Sequence, residues 1–144
     1  FALAASATGN WGPMAANFIA SMTPPMGIAI AILISKKRFN KAERSSASGC
    51  VVGGFGMITE FAIPYAVKDP ARVIPSLMVG SATGAVLSYL AGLSITAPHG
   101  GLFVFFLANK PVLFLVILFV ASCVTAGMLI LLKKPLSAEE YEAE

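Results

Sequence analysis

From Met14 to Ser35 the chain runs MAANFIASMTPPMGIAIAILIS without a single charge. That is about the length a helix needs to cross the hydrocarbon core of a bilayer. Pro24 and Pro25 stand near its middle. Their rings crowd the preceding turn and their nitrogens cannot donate, so a kink or break is expected there. A membrane tolerates one where neighbouring segments re-satisfy the freed carbonyls. A second apolar run, Ser46 to Val67, is dense in glycine (Gly49, Gly53, Gly54, Gly56) and contains Glu60 and Pro64. A third, Val73 to about Leu93, carries small residues at Gly80, Gly84 and Ala91, a spacing that lets helices in lipid approach closely. Ile95 to Phe106 is apolar but too short, and too broken by Pro98, Gly100 and Gly101, for a full crossing. Pro111 to Leu132 is a smooth Leu- and Val-rich run that reads as an ordinary spanning helix.

Charge sets the orientation of these runs. Lys36 to Arg44, KKRFNKAER, holds five basic residues and one acidic residue, a strong cytoplasmic-loop signal, and Lys133-Lys134 is a second one. With both on one side, an even number of crossings lies between them. Three runs of roughly spanning length occur there, so one enters and leaves on the same side. Ser46 to Val67 is one candidate for that re-entrant role and Ile95 to Phe106 a second, shorter one. Non-helical backbone at membrane depth survives only inside protein or beside a wet cavity, which puts Glu60 beside a cavity.

Composition agrees with a lipid solvent. Of 144 residues 57% are hydrophobic and 12% charged, with a mean hydropathy of +0.82, whereas a soluble domain carries about 25% charged residues. The expected class is an all-α integral membrane protein, a polytopic helical bundle with re-entrant hairpins. A net charge of +3 is too small to imply a nucleic-acid partner. Cys50 and Cys123 have no metal-like spacing and read as buried small apolar residues. No Walker-type loop, metal-ligand cluster or Ser-His-Asp set is present, so neither cofactor nor catalytic residue is expected. The chain starts at Phe1 without a secretory pattern, as expected for part of a longer polytopic protein.

Glu60 is the sharpest chemical feature. An ionisable residue within a membrane segment costs several kcal/mol and is by default a functional-site hypothesis. Its carboxylate can accept from two vicinal hydroxyls, which suits a sugar; the plainer alternative is an interfacial pair with Lys68 or Arg72. His99, the one histidine, lies in APHGG, where Pro98 and Gly100-Gly101 mark a tight turn at which backbone can approach a ligand. A turn histidine facing water is an equally good reading. Thr59, Asn10, Asn17 and Thr23 can bond a ligand or merely nearby backbone. Tyr65 can stack on a sugar ring, while Trp11 reads as an interface anchor.

Two blocks carry a family resemblance: ITEFAIPYAVKDPARVIPSLMVGSATGAVLSYL, followed by APHGGLFV. Together they closely resemble the membrane component, IIC, of the fructose-specific bacterial phosphotransferase system. MTPPMGIAIAILISKKRFNKAER resembles the helix and basic loop that precede the block in that family. The resemblance covers Met14 to about Pro135. It implies a permease in the bacterial cytoplasmic membrane that binds fructose or a related sugar and carries it inward for phosphorylation by a IIB component, itself charged by IIA. It also implies a homodimer. By residue matching, the family's acidic sugar-site residue falls on Glu60 and its histidine on His99. Thr59 and Gly100, their neighbours in the sequence, complete the expected substrate-binding positions. Where the family has glycine after ITE, this chain has Phe61, which bears on the identity of the sugar. The phosphorylatable IIB cysteine motif is not in the sequence. Residues 1–135 then form the C-terminal part of the sugar-transport domain, with a basic cytoplasmic loop at 36–45, and 136–144 an acidic cytoplasmic tail. Two other readings stand beside this one: an ion-coupled secondary sugar transporter with Glu60 as proton site, and a small structural membrane subunit that uses its glycine faces only to pack.

Overall fold

The computed structural model describes residues 1–135; the acidic stretch 136–144, expected to be a tail, lies outside the described residues. The described elements are helical: α1 (Ala2–Ala7), α2 (Gly12–Ile34), α3 (Lys41–Ser45), α4 (Ala47–Gly56), α5 (Ile63–Lys68), α6 (Pro70–Leu90) and α7 (Pro111–Leu132). Three 3₁₀ segments, Lys36–Arg38, Thr59–Ala62 and Gly101–Leu107, join them. Among the described residues α2, α6 and α7 are long and apolar enough to cross a membrane.

These three helices pack on one another, with α2 at the centre, also touching α4. Side-chain size explains the closeness. Thr125 of α7 sits where all three helices meet: a Cβ at Gly27 of α2, or at Gly80 of α6, would collide with it. One turn on, a Cβ at Gly84 would run into Ile19 and Ala121. The Gly80/Gly84 stripe is therefore a helix contact, as the spacing predicts. Large apolar side chains of α6 and α7, such as Met78, Val86, Val116 and Phe119, point outward, which suits lipid.

Of the kink or break expected at Pro24-Pro25, no break occurs: α2 is continuous through both. A proline nitrogen has no proton for the carbonyl four residues earlier, so Ala20 and Ser21 lose their intrahelical donors. Two hydroxyls from elsewhere replace them. Ser81 Oγ of α6 donates to the Ala20 carbonyl at 2.9 Å, and Thr59 Oγ1 donates to the Ser21 carbonyl at 3.0 Å.

The helix directions follow from the contacts at the bundle ends. Gly12, at the start of α2, lies beside Tyr89 and the Leu93 carbonyl at the end of α6. At the other end Lys133, just past α7, pairs with Glu43 in the basic loop after α2, Nζ to Oε1 at 3.0 Å. The two basic segments thus share one end of the bundle, with α6 and α7 as the two full crossings between them.

Both candidate re-entrant segments turn back part-way. α4 begins beside the basic loop and its ten residues cover about 15 Å, half of a ~30 Å hydrocarbon layer. It ends with Gly54 against Met26, mid-way along α2. The chain then returns through Thr59–Ala62 and α5. From the opposite end, residues 95–108 form a loop closed at its base by the Ile95–Ala108 bridge. At its tip a Cβ on Gly101 would strike the Phe55 carbonyl and Gly56 backbone, so the two hairpin tips meet. One expectation is corrected: Cys50 is buried, but Cys123 is exposed on the outward apolar face of α7.

Candidate functional site

The turn that presents Glu60 is built by the abrupt end of α4. Met57 adopts a left-handed conformation, φ 63°, alone among the described non-glycine residues. Ile58 N–H donates back to the Gly53 carbonyl at 2.8 Å and Met57 N–H to Gly54 at 3.4 Å. This double closure satisfies the last helical carbonyls, normally with glycine at the left-handed position. A bulky side chain there costs on the order of 1–2 kcal/mol. Thr59–Ala62 then curls as a 3₁₀ turn, and Pro64, in the first turn of α5, pre-sets the returning helix.

The side chains of the turn have different surroundings. Thr59 bonds α2 through the Ser21 carbonyl, so its hydroxyl proton is used in holding the turn to the central helix. Glu60 is exposed, and its carboxylate has no ion-pair partner among the described residues. Arg72, one of the two partners weighed from the sequence, is bonded to Asp69 at 3.1 Å. The Phe61 ring lies on Gly49 and Gly53 of α4, and the Cys50 thiol donates to the Phe61 carbonyl at 3.4 Å.

Glu60 and Phe61 border an open recess of about 530 Å³, within the usual size range of small-molecule sites. Ser46, Ser48 and Gly49 form its α4 side, Glu60 and Phe61 the turn, Pro64 and Tyr65 the α5 side. Tyr65 forms a wall only, since its hydroxyl donates to the Glu43 carbonyl at 2.8 Å. The Ser46 hydroxyl likewise donates to the Ala42 carbonyl at 3.0 Å, so the arrangement offers the Glu60 carboxylate as acceptor, the Ser48 hydroxyl and an apolar floor. That set can hold a neutral polyol with an apolar face.

His99 is exposed on the turn 98–100 and is not among the residues lining this recess. Gly100 needs its glycine, with φ 137° and Val104 where a Cβ would go. Gly101 is where backbone approaches backbone, against α4 rather than a ligand. The fold therefore sets the APHGG block against the last turn of α4, just ahead of the ITE block, through Gly101 and residues 55–56.

One cluster escaped the sequence reading. Glu43 and Lys133 are both buried, 7% exposed, and Lys133 Nζ also lies 4.5 Å from the centre of the Phe39 ring. Arg38 donates to the Lys133 carbonyl. Asn40 caps α3, accepting from Glu43 N–H at 2.8 Å while its own N–H donates to Glu43 Oε2 at 2.9 Å. The signal was present as N-x-x-E, a capping box.

A helical bundle with three spanning-length helices and two opposed half-depth hairpins, one of them carrying a carboxylate in an open recess, defines a multi-pass membrane protein with a candidate site at its hairpin turn. The chain is homologous to the C-terminal part of the fructose-specific EIIC membrane components of the phosphotransferase system. It is 46% identical over 143 residues to the PTS system fructose-specific EIIB'BC component of Rhodobacter capsulatus, a match covering 97% of this chain and 25% of that protein. The PTS system fructose-specific EIIC component of Haloferax volcanii is 43% identical over 126 residues, 88% of this chain and 34% of that one. The fructose permease IIC component of Bacillus amyloliquefaciens is 39% identical over 135 residues, 94% of this chain and 44% of that one. The chain thus spans less than half the length of these relatives. No protein-family model and no solved structure matches it.

Proposed function

We propose that this chain is the sugar-binding part of a phosphotransferase-system permease that takes up fructose or a closely related sugar across the bacterial cytoplasmic membrane. The observation that carries the reading is Glu60: a carboxylate without an ion-pair partner among the described residues, on the turn of a half-depth hairpin, in the wall of a recess about 530 Å³ in volume. Homology to fructose-specific EIIC components supports fructose as the sugar. Relatives named EIIB'BC and EIIABC join B and A components to C in one protein, which supports IIB and IIA as the partners here. The working unit is a homodimer in this reading.

Within the site Glu60 accepts sugar hydroxyls. His99, exposed on the adjoining hairpin and outside the recess lining, is the second hydrogen-bonding group in this reading. Thr59 and Gly100 serve the sugar through the backbone that holds the two turns. The chain itself carries no phosphoryl group; the sugar receives it from IIB on the cytoplasmic side.

The test is made on the full chain in inverted membrane vesicles, with radiolabelled fructose and phosphorylated IIB. Fructose phosphate is expected only when both are supplied, and Glu60→Gln is expected to raise the Kd for the sugar more than tenfold while the protein still inserts. His99→Ala is expected to weaken binding by about 0.5–1.5 kcal/mol, the net worth of one hydrogen bond at an open site. Unmodified fructose accumulating on a proton gradient would replace this reading with ion-coupled transport.

A further inference from the structure

We infer that Phe61 is a stacking platform for the apolar face of the sugar and so determines how the ring lies against Glu60. The inference rests on the sugar-binding reading and adds the residue that orients the ligand. Phe61 follows Glu60 directly, and both border the same recess. Its ring has an unusual seat. A Cβ on Gly49 would lie 3.0 and 3.1 Å from ring atoms Cδ1 and Cε1, and one on Gly53 only 2.7 Å from Cγ. The ring therefore lies across bare helix backbone, with no side chain between, and 38% of the residue stays exposed. The main chain is held as well, by the Cys50 thiol on the Phe61 carbonyl at 3.4 Å.

An aromatic ring fixed in this way loses little freedom when a ligand covers it, which favours affinity. A sugar ring has hydroxyls around its edge and C–H bonds on its faces. Glu60 can take the edge only if something apolar takes a face. Pro64 offers a small surface and the Tyr65 hydroxyl is committed to Glu43. Phe61 is the flat apolar group adjacent to the carboxylate, and aromatic faces pair well with such surfaces. A platform of this kind discriminates between epimers, because a hydroxyl turned onto the stacked face lifts the sugar off the ring.

The experiment measures equilibrium binding of radiolabelled fructose to the full chain in membrane vesicles, for the parent, Phe61→Leu, Phe61→Tyr and Glu60→Gln, with thermal midpoints for each. Phe61→Leu keeps bulk but loses the flat face; its Kd is expected to rise about five- to tenfold at an unchanged thermal midpoint. Phe61→Tyr is expected to bind within about twofold of the parent, for the same geometric reason. If Phe61→Leu binds like the parent while Glu60→Gln loses the sugar, Phe61 only packs the hairpin, and the sugar reading survives without it. If neither the parent nor any variant binds a hexose, the sugar reading falls and the platform with it. Should Phe61→Leu fail to fold, Phe61→Trp in a Trp11→Phe background gives the answer by emission. A fructose-dependent change supports stacking; unchanged emission at a fructose concentration that saturates binding overturns it.

Discussion

Thr59 Oγ1 donates to the carbonyl of Ser21 at 3.0 Å, the carbonyl that Pro25, four residues later, cannot bond. A defect in the central helix is thus filled by the residue that precedes Glu60, and the site-bearing turn is tied to α2 by the same bond. Ser81 does likewise for Ala20 and Pro24. The proline pair creates acceptors at mid-helix, and the fold uses them to hold α6 and the hairpin turn.

This pairing predicts an energetic coupling. Thr59→Ala leaves the Ser21 carbonyl unpaired and is expected to cost about 1 kcal/mol, in the range of interhelical side-chain bonds in membranes. In a Pro25→Ala background the helix supplies its own donor, so the same substitution should cost little. A double-mutant cycle on unfolding in detergent measures the difference. Additive effects would mean that the two residues act independently.

Buried Glu43 and Lys133 should show the asymmetry of enclosed charge pairs. Lys133→Met leaves a buried carboxylate without its cation and is expected to destabilise by about 3–5 kcal/mol. Adding Glu43→Gln should recover much of that loss. Thermal unfolding of the single and double variants checks it. A Lys133→Met protein as stable as the parent would show the pair to be open to water.

Gly80 should refuse even a methyl group. A Cβ there would strike Thr125 Oγ1 and come within 3.1 Å of the Ala121 carbonyl. Gly80→Ala is expected to lose about 1–3 kcal/mol through overpacking. Thr125→Ala should restore part of it in the double variant, because the colliding oxygen is removed. Unfolding of both proteins in one detergent decides the matter.

Orientation can be read by chemistry. In a background of Cys50→Ala and Cys123→Ala, single cysteines at Lys37 and Lys134 should react with an impermeant thiol reagent only from the cytoplasmic side. A cysteine at Asn10 should react only from outside. Labelling Lys37 and Lys134 from opposite faces would contradict the salt bridge that joins their ends of the bundle.

Of the substrate-binding positions expected from the sequence, Glu60 alone borders the recess. Glu60 drew attention because a charge in an apolar run is costly, and it lies in a recess. His99 drew attention by its rarity and its glycine neighbours, yet Gly101 serves the contact between hairpin tips and Gly100 the turn itself. A small residue that admits a ligand and one that admits another backbone look the same in one dimension. Phe61 illustrates the same limit: its seat depends on Gly49 and Gly53, which are eight or more positions away and form a surface only once α4 folds back on the turn.

By itself the sequence determined the solvent, the spanning segments and the shared side of the two basic clusters. Each follows from local quantities: apolar length against bilayer thickness, and lysine and arginine counts beside the runs. Tertiary structure alone decided that both part-length segments turn back and meet, that α2 passes unbroken through two prolines, and that Glu43 finds Lys133. Those outcomes depend on which distant group arrives to satisfy an orphaned carbonyl or a buried charge. A hydroxyl in α6, or a lysine 90 positions along the chain, carries no mark of its partner until packing brings the two together.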